Sequence, residues 1–85
     1  MKVTVVGYLK QEGNFEGRDY HNFQLHTTEP ITDVAKGKGL KTRFLKIKMS
    51  EWNNIVKLSP DECIGKTFQV SFDEYKNPDQ LTEIK

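Results

Sequence analysis

Two short patterns in this sequence combine side chains that attract anions with side chains that stack on flat rings. In one, Arg18 precedes Tyr20 by two positions. In the other, Phe44, Lys46 and Lys48 occupy alternate positions of one segment. Lys36, Lys38, Lys41 and Arg43 extend the second pattern upstream, and no acidic residue occurs between Val34 and Met49. The acids gather later, at Asp61, Glu62, Asp73, Glu74, Asp79 and Glu83. The net charge of +1 therefore hides an uneven distribution. A nearly neutral chain of this kind can still present a positive face.

Cations along a track and aromatic platforms between them are the two things a single-stranded nucleic acid needs. The cations hold phosphates by releasing counterions, and the rings stack on bases whatever their identity. Strand periodicity supports the grouping, with Phe44, Lys46 and Lys48 sharing one face and Tyr20 able to meet them from the neighbouring strand. A plainer account exists for each element. Lysines on an exposed strand also block edge-to-edge pairing. Tyr20 could cover the rim of a core, and Phe44 could be buried if its strand is covered on both faces.

Other chemistries lack their residues. His21 and His26 lie five apart on a strand and point to opposite faces, and neither is paired by sequence with Cys63, so no nucleophile has a base. The adjacent acids Asp61-Glu62 and Asp73-Glu74 neighbour turn-like segments and read as solvated charge. Gly37-Lys38-Gly39 lacks the spacing and the following helix of a phosphate-binding loop. No metal-ligand spacing is present, so neither enzyme activity nor a metal or other cofactor is expected. The single cysteine cannot form an internal disulfide and reads as a small packing residue. No apolar run reaches the roughly 20 residues of a membrane helix, and no export signal marks Met1-Lys2, so no membrane partner and a cytoplasmic location are expected.

The elements that must position these residues are short strands, within a length that suits one domain, residues 1–85. Lys2 to Tyr8 reads as the first strand, with apolar residues on both parities, as if both faces were covered. Gln11 to Gly17 reads as a turn or loop. Asp19 to Thr28 is the second strand, with His21, Phe23, Leu25 and Thr27 towards the core and Tyr20, Asn22, Gln24 and His26 outward. Glu29 to Gly39 is a long connection with a mobile tip, Pro30 breaking the strand. Leu40 to Met49 is the third strand, with Leu45, Ile47 and Met49 inward. Ser50 caps a short helix to about Lys57 that buries Trp52, Ile55 and Val56. Ser59-Pro60 ends that helix. Lys66 to Phe72 and Leu81 to Ile84 are two more strands, separated by a turn at Asn77-Pro78-Asp79. The expected class is mostly β, a five-stranded OB-fold-like barrel with one short helix between strands 3 and 4. A small SH3-like barrel is the rival, and it would have no helix there.

Four segments carry a resemblance: Lys2-Val3-Thr4-Val5, Gly17-Arg18-Asp19-Tyr20, Phe44 to Met49, and Gly65 to Val70. The chain resembles the small single-stranded-DNA-binding proteins of filamentous phages, which are OB-like dimers. The resemblance implies DNA-contacting roles for Arg18, Tyr20 and Lys46, a homodimer, and service in phage or mobile-element replication. It also marks a departure, because Asp73 to Gln80 is short and acidic where the family has a protruding hairpin. The Lys36–Gly39 tip could supply contacts instead. The expected partner is single-stranded DNA. RNA remains open, because stacking and phosphate contacts do not separate the two. A protein-interaction module with an OB-like barrel, an adaptor or inhibitor, is the competing expectation.

Overall fold

The structure, a computed structural model, describes residues 1–84. It contains β1 (Lys2–Phe15), β2 (Arg18–Pro30), β3 (Leu40–Lys48), a 3-10 turn (Met49–Glu51), α1 (Trp52–Ile55), α2 (Pro60–Cys63), β4 (Thr67–Phe72) and β5 (Pro78–Glu83). The five strands form one antiparallel sheet in the order β3-β2-β1-β4-β5. The sheet is not closed. β3 and β5 are its two edges, and they approach each other without forming a ladder.

β1 explains its own mixed parity. Val5 pairs with Thr27 and Gly7 with His26, so Val6 is an extra, bulged residue. A bulge shifts the alternation by one. Val3 and Val5 therefore face the core before the bulge and Tyr8 faces it afterwards, opposite Leu25. The two apolar parities reflect this switch, not two covered faces. Beyond Tyr8 the strand continues to Phe15 where a loop was expected. Only Glu16 and Gly17 turn the chain, at φ of 52° and 78°. Two central residues at positive φ are the mark of a type I′ hairpin. Asn14 secures it: its Oδ1 accepts from the Gly17 N–H at 3.2 Å, and its Nδ2 donates to Asp19 Oδ1 at 2.9 Å.

The core lies between the inward face of the sheet and the α1–α2 segment. Val3, Val5, Leu25, Leu45, Ile47, Phe68, Val70 and Leu81 come from strands, and Trp52, Ile55, Val56 and Cys63 from the segment between β3 and β4. Trp52 meets Phe23 edge-on at 5.0 Å, and Phe23 meets Tyr8 at 6.0 Å. The Trp52 indole N–H donates to the Leu58 carbonyl at 2.8 Å, so no polar group is stranded by that burial. The Tyr8 hydroxyl donates to Asp61 Oδ1 at 2.7 Å and ties β1 to α2. That hydrogen bond, helped by desolvation and the Asp61 charge, holds the phenol above its ordinary pKa of 10.0.

The helical segment differs from expectation in two ways. It is two short pieces instead of one helix, and Ser50 caps neither. The capping serine is Ser59, expected to end a helix and found to begin α2. Its Oγ accepts from the Glu62 N–H while the Glu62 carboxylate accepts from the Ser59 N–H. Val56, extended at φ −123°, stops α1 and makes room for this second start. The β4–β5 turn is Asp73–Asn77, two of its backbone N–H groups bound by the Asp73 carboxylate, and Pro78 already begins β5. Among the described residues, no helix is long and apolar enough to cross a membrane.

Candidate nucleic-acid interface

Register decides which candidate residues share a face. Asn22 pairs with Lys48, Gln24 with Lys46, His26 with Phe44 and Thr28 with Thr42. On the other side of β2, Phe15 pairs with Arg18, Gly13 with Tyr20, Gln11 with Asn22 and Leu9 with Gln24. Directly paired residues project to the same side of a sheet. All of these therefore project away from the core, since their sequence neighbours Phe23, Leu25, Leu45 and Ile47 project into it. The outward rows of β1, β2 and β3 from Gly7 to Thr42 contain no carboxylate. They hold Arg18, Lys46, Lys48, His26 and three exposed aromatics. Phe15 is 68% exposed, Phe44 60% and Tyr20 42%.

The aromatics are spread along this face. Phe44 sits directly beside His26, ring centroids 4.6 Å apart and tilted by 47°. His26 Nε2 lies 3.0 Å from Gln24 Oε1, which fixes the imidazole under Phe44. Tyr20 lies six residues further along β2, about 20 Å at the rise of a β-strand. It is beyond the end of the β3 ladder, whose last pair is Asn22 with Lys48. Tyr20 and Phe44 share a face without being neighbours, and one base cannot touch both. Phe15 and Arg18 lie one row further out, at the hairpin tip.

The remaining sequence candidates fall elsewhere. Lys41 and Arg43 project to the opposite side of β3, and both approach Glu29: Lys41 Nζ at 3.6 Å and Arg43 Nε at 3.3 Å. Glu29 is largely covered, its side chain 13% exposed. These two cations already have an anion. Lys36 and Lys38 are exposed in the β2–β3 connection, closed at its base by the Ile31 N–H donating to the Gly39 carbonyl at 2.9 Å. The structure thus places Arg18, Tyr20, Phe44, Lys46 and Lys48 along one face, with Arg18 and Tyr20 towards the hairpin tip and the other three on β3, and sets Lys36, Lys38, Lys41 and Arg43 apart from them.

Sequence reasoning missed Phe15, Leu9 and Gln11 because β1 was ended at Tyr8. It placed His26 outward without giving it a role, although direct pairing with Phe44 follows once the β2–β3 register is known. A groove of about 930 Å³ opens between the β3 edge and the β4–β5 turn; it shares Tyr20, Asn22, Lys46 and Lys48 with the outward face and adds Asp19, Glu51, Asp73 and Asp79. Its four carboxylates give the groove a more negative character than the outward rows, which have none, so a phosphate is favoured on the sheet side of Lys46 and Lys48. No family model, curated protein or solved structure matches this chain.

Proposed function

We propose that this chain is a non-enzymatic, largely sequence-independent single-stranded-DNA-binding protein that uses the outward face of β1, β2 and β3. The observation that carries the reading is the absence of carboxylates from those rows in a chain with twelve acidic residues. Exposed rings at Phe15, Tyr20 and Phe44 offer stacking platforms, and Arg18, Lys46 and Lys48 offer phosphate contacts beside them. A duplex keeps its bases stacked inside and cannot use such rings, whereas a single strand can. The strand order β3-β2-β1-β4-β5, with β3 and β5 approaching each other at the open edge, supports assigning the chain to an OB-fold-like architecture. OB-folds bind oligonucleotides on the face of strands 2 and 3. The resemblance to filamentous-phage proteins adds a setting, phage or mobile-element replication, and a homodimer.

Fluorescence anisotropy with labelled single-stranded DNA, duplex DNA and RNA at several salt concentrations tests this. Three outward cations, with Lys36 and Lys38 as two further contacts, give three to five neutralised phosphates. The log–log salt slope for the single strand is then about −2 to −3.5. Affinity for the duplex is lower at every salt concentration. Equal binding to duplex, or no binding at low salt, overturns the proposal. Equal binding of RNA widens the ligand to single strands of either sugar.

A further inference from the structure

Gly13 lies within β1, two residues before its end at Phe15, where nothing about the backbone asks for glycine. The glycines at positive φ are Gly17, Gly39 and Gly65, and Gly13 is not among them. Glycine inside a strand weakens it, so the position needs another explanation. The explanation is the cross-strand partner. A Cβ built on Gly13 would lie 2.6 Å from Tyr20 Oη, 2.8 Å from Cζ and 3.1 Å from Cε1. The outer half of the Tyr20 ring therefore lies across the Gly13 backbone, in space that any side chain would fill. By contrast, a Cβ on Gly7, also on β1, would meet nothing within 4 Å.

We infer that Gly13 is a positioning residue of the outward face: by lacking a side chain it lets the Tyr20 ring lie across β1 as a preset platform for a base. The inference rests on the nucleic-acid reading above. It explains how a ring beyond the β3 ladder is held without a neighbour on that side. Resting on β1, the ring has less freedom to lose when a base stacks on its open side, and an ordered platform binds more tightly than a swinging one. Substituting alanine displaces the far end of the tyrosine, which a flexible side chain permits, so the fold tolerates the change while the platform is lost.

A double-mutant cycle on single-stranded DNA tests this, using Gly13→Ala, Tyr20→Leu and the pair, each with a melting curve. Tyr20→Leu weakens binding by about 5- to 150-fold, the range for one lost base stack. Gly13→Ala weakens it by at least about threefold, because part of the same stack is lost. Its melting temperature is unchanged or higher, since alanine suits a strand better than glycine. The double variant matches Tyr20→Leu within about twofold, the signature of two residues acting through one contact. In the free protein, the Gly13 α-proton resonances are displaced by the Tyr20 ring and return towards ordinary values in Tyr20→Leu. Additive losses, or undiminished binding by Gly13→Ala, overturn the inference and leave the DNA reading standing. A wild-type protein that shows the ring displacement but binds no single strand overturns the DNA reading itself, and the role of Gly13 with it.

Discussion

The two ends of the β1–β2 hairpin place their apolar groups on opposite sides. At the end nearest the core, Val3, Val5, Tyr8, Phe23 and Leu25 project inward, and the outward positions opposite them are Gly7, Gln24, His26 and Thr28, with Leu9 and the bulged Val6 as the exposed apolar residues. At the far end the inward side is polar. Glu12, Asn14, Asp19 and His21 lie there, with Glu12 3.9 Å from Lys10 Nζ and 3.7 Å from His21 Nδ1. The aromatics Phe15 and Tyr20 have moved to the outward side. Burial accounts for the near end, since a sheet is stable when one face leaves water. It does not account for the far end, where exposed rings point away from the molecule's own core. A hairpin whose amphipathicity inverts along its length serves folding at one end and leaves the other free for the partner proposed above.

The sharpest way to break this contrast is to remove one large side chain from each end. Leu25 is fully buried. Leu25→Ala should cost about 2–5 kcal/mol of folding stability, through lost burial and the cavity left behind. Phe15 has little packing to lose, so Phe15→Ala should stay within about 0.5 kcal/mol of wild type. Urea denaturation of both variants measures the difference. A destabilised Phe15→Ala protein would mean that the hairpin tip is part of the folding core, and the division between the two ends would disappear.

Cys63 extends the test to the far wall of the core. It is fully buried, and burial, aided by the Glu62 and Glu83 charges and opposed by Lys66, pushes its thiol from 9.0 up to about 11. A raised folded-state pKa means that the native protein favours the neutral thiol. The corresponding stability is fully present below the unfolded value near 9.0 and is lost as pH rises towards about 11. The stability difference between wild type and Cys63→Ala should therefore be constant up to pH 9 and then shrink. Urea titrations of both proteins across that range isolate the thiol, because every other group is common to the two. A difference that stays flat to pH 10.5 would place Cys63 in water and shift the core away from α2.

How much of this was readable beforehand depends on how local the cause was. The inward set Phe23, Leu25 and Thr27, and the outward set Phe44, Lys46 and Lys48, follow from period-two alternation, which needs no knowledge of neighbours. Trp52, Ile55 and Val56 were readable from helical spacing, which is equally local, although α1 ends at Ile55 and Val56 is already extended. The Val6 bulge was not readable, because mixed parity has the same appearance whether a strand is covered twice or slips by one residue. The true length of β1 was hidden by Gly13, which resembles a turn residue until its contact with Tyr20 is seen. Pairing hid the rest. Nothing in the run Lys41 to Lys48 reveals that its first two cations are engaged by Glu29, because that contact is made across a ladder.

Lys46 and Arg43 turn that last point into the smallest and most discriminating measurement. They are three residues apart on one strand and project to opposite sides of it. Lys46 stands on the acid-free face, while Arg43 lies 3.3 Å from Glu29. A cation that neutralises a phosphate releases counterions. Lys46→Ala should therefore lower affinity and make the log–log salt slope shallower by about 0.7, the value for one contact to a single strand. Arg43→Ala removes a charge whose field Glu29 already offsets, and Lys41 remains to pair with that carboxylate. Its slope should match wild type, and because Lys41 stays beside the largely covered Glu29 it should cost about 1 kcal/mol of stability. Both variants carry the same change in net charge, so any difference between their slopes reports which face the strand follows. Equal reductions would mean that the nucleic acid wraps the β3 edge and uses both sides. Both faces of β3 would then belong to the site, and the inverted hairpin would no longer mark its boundary.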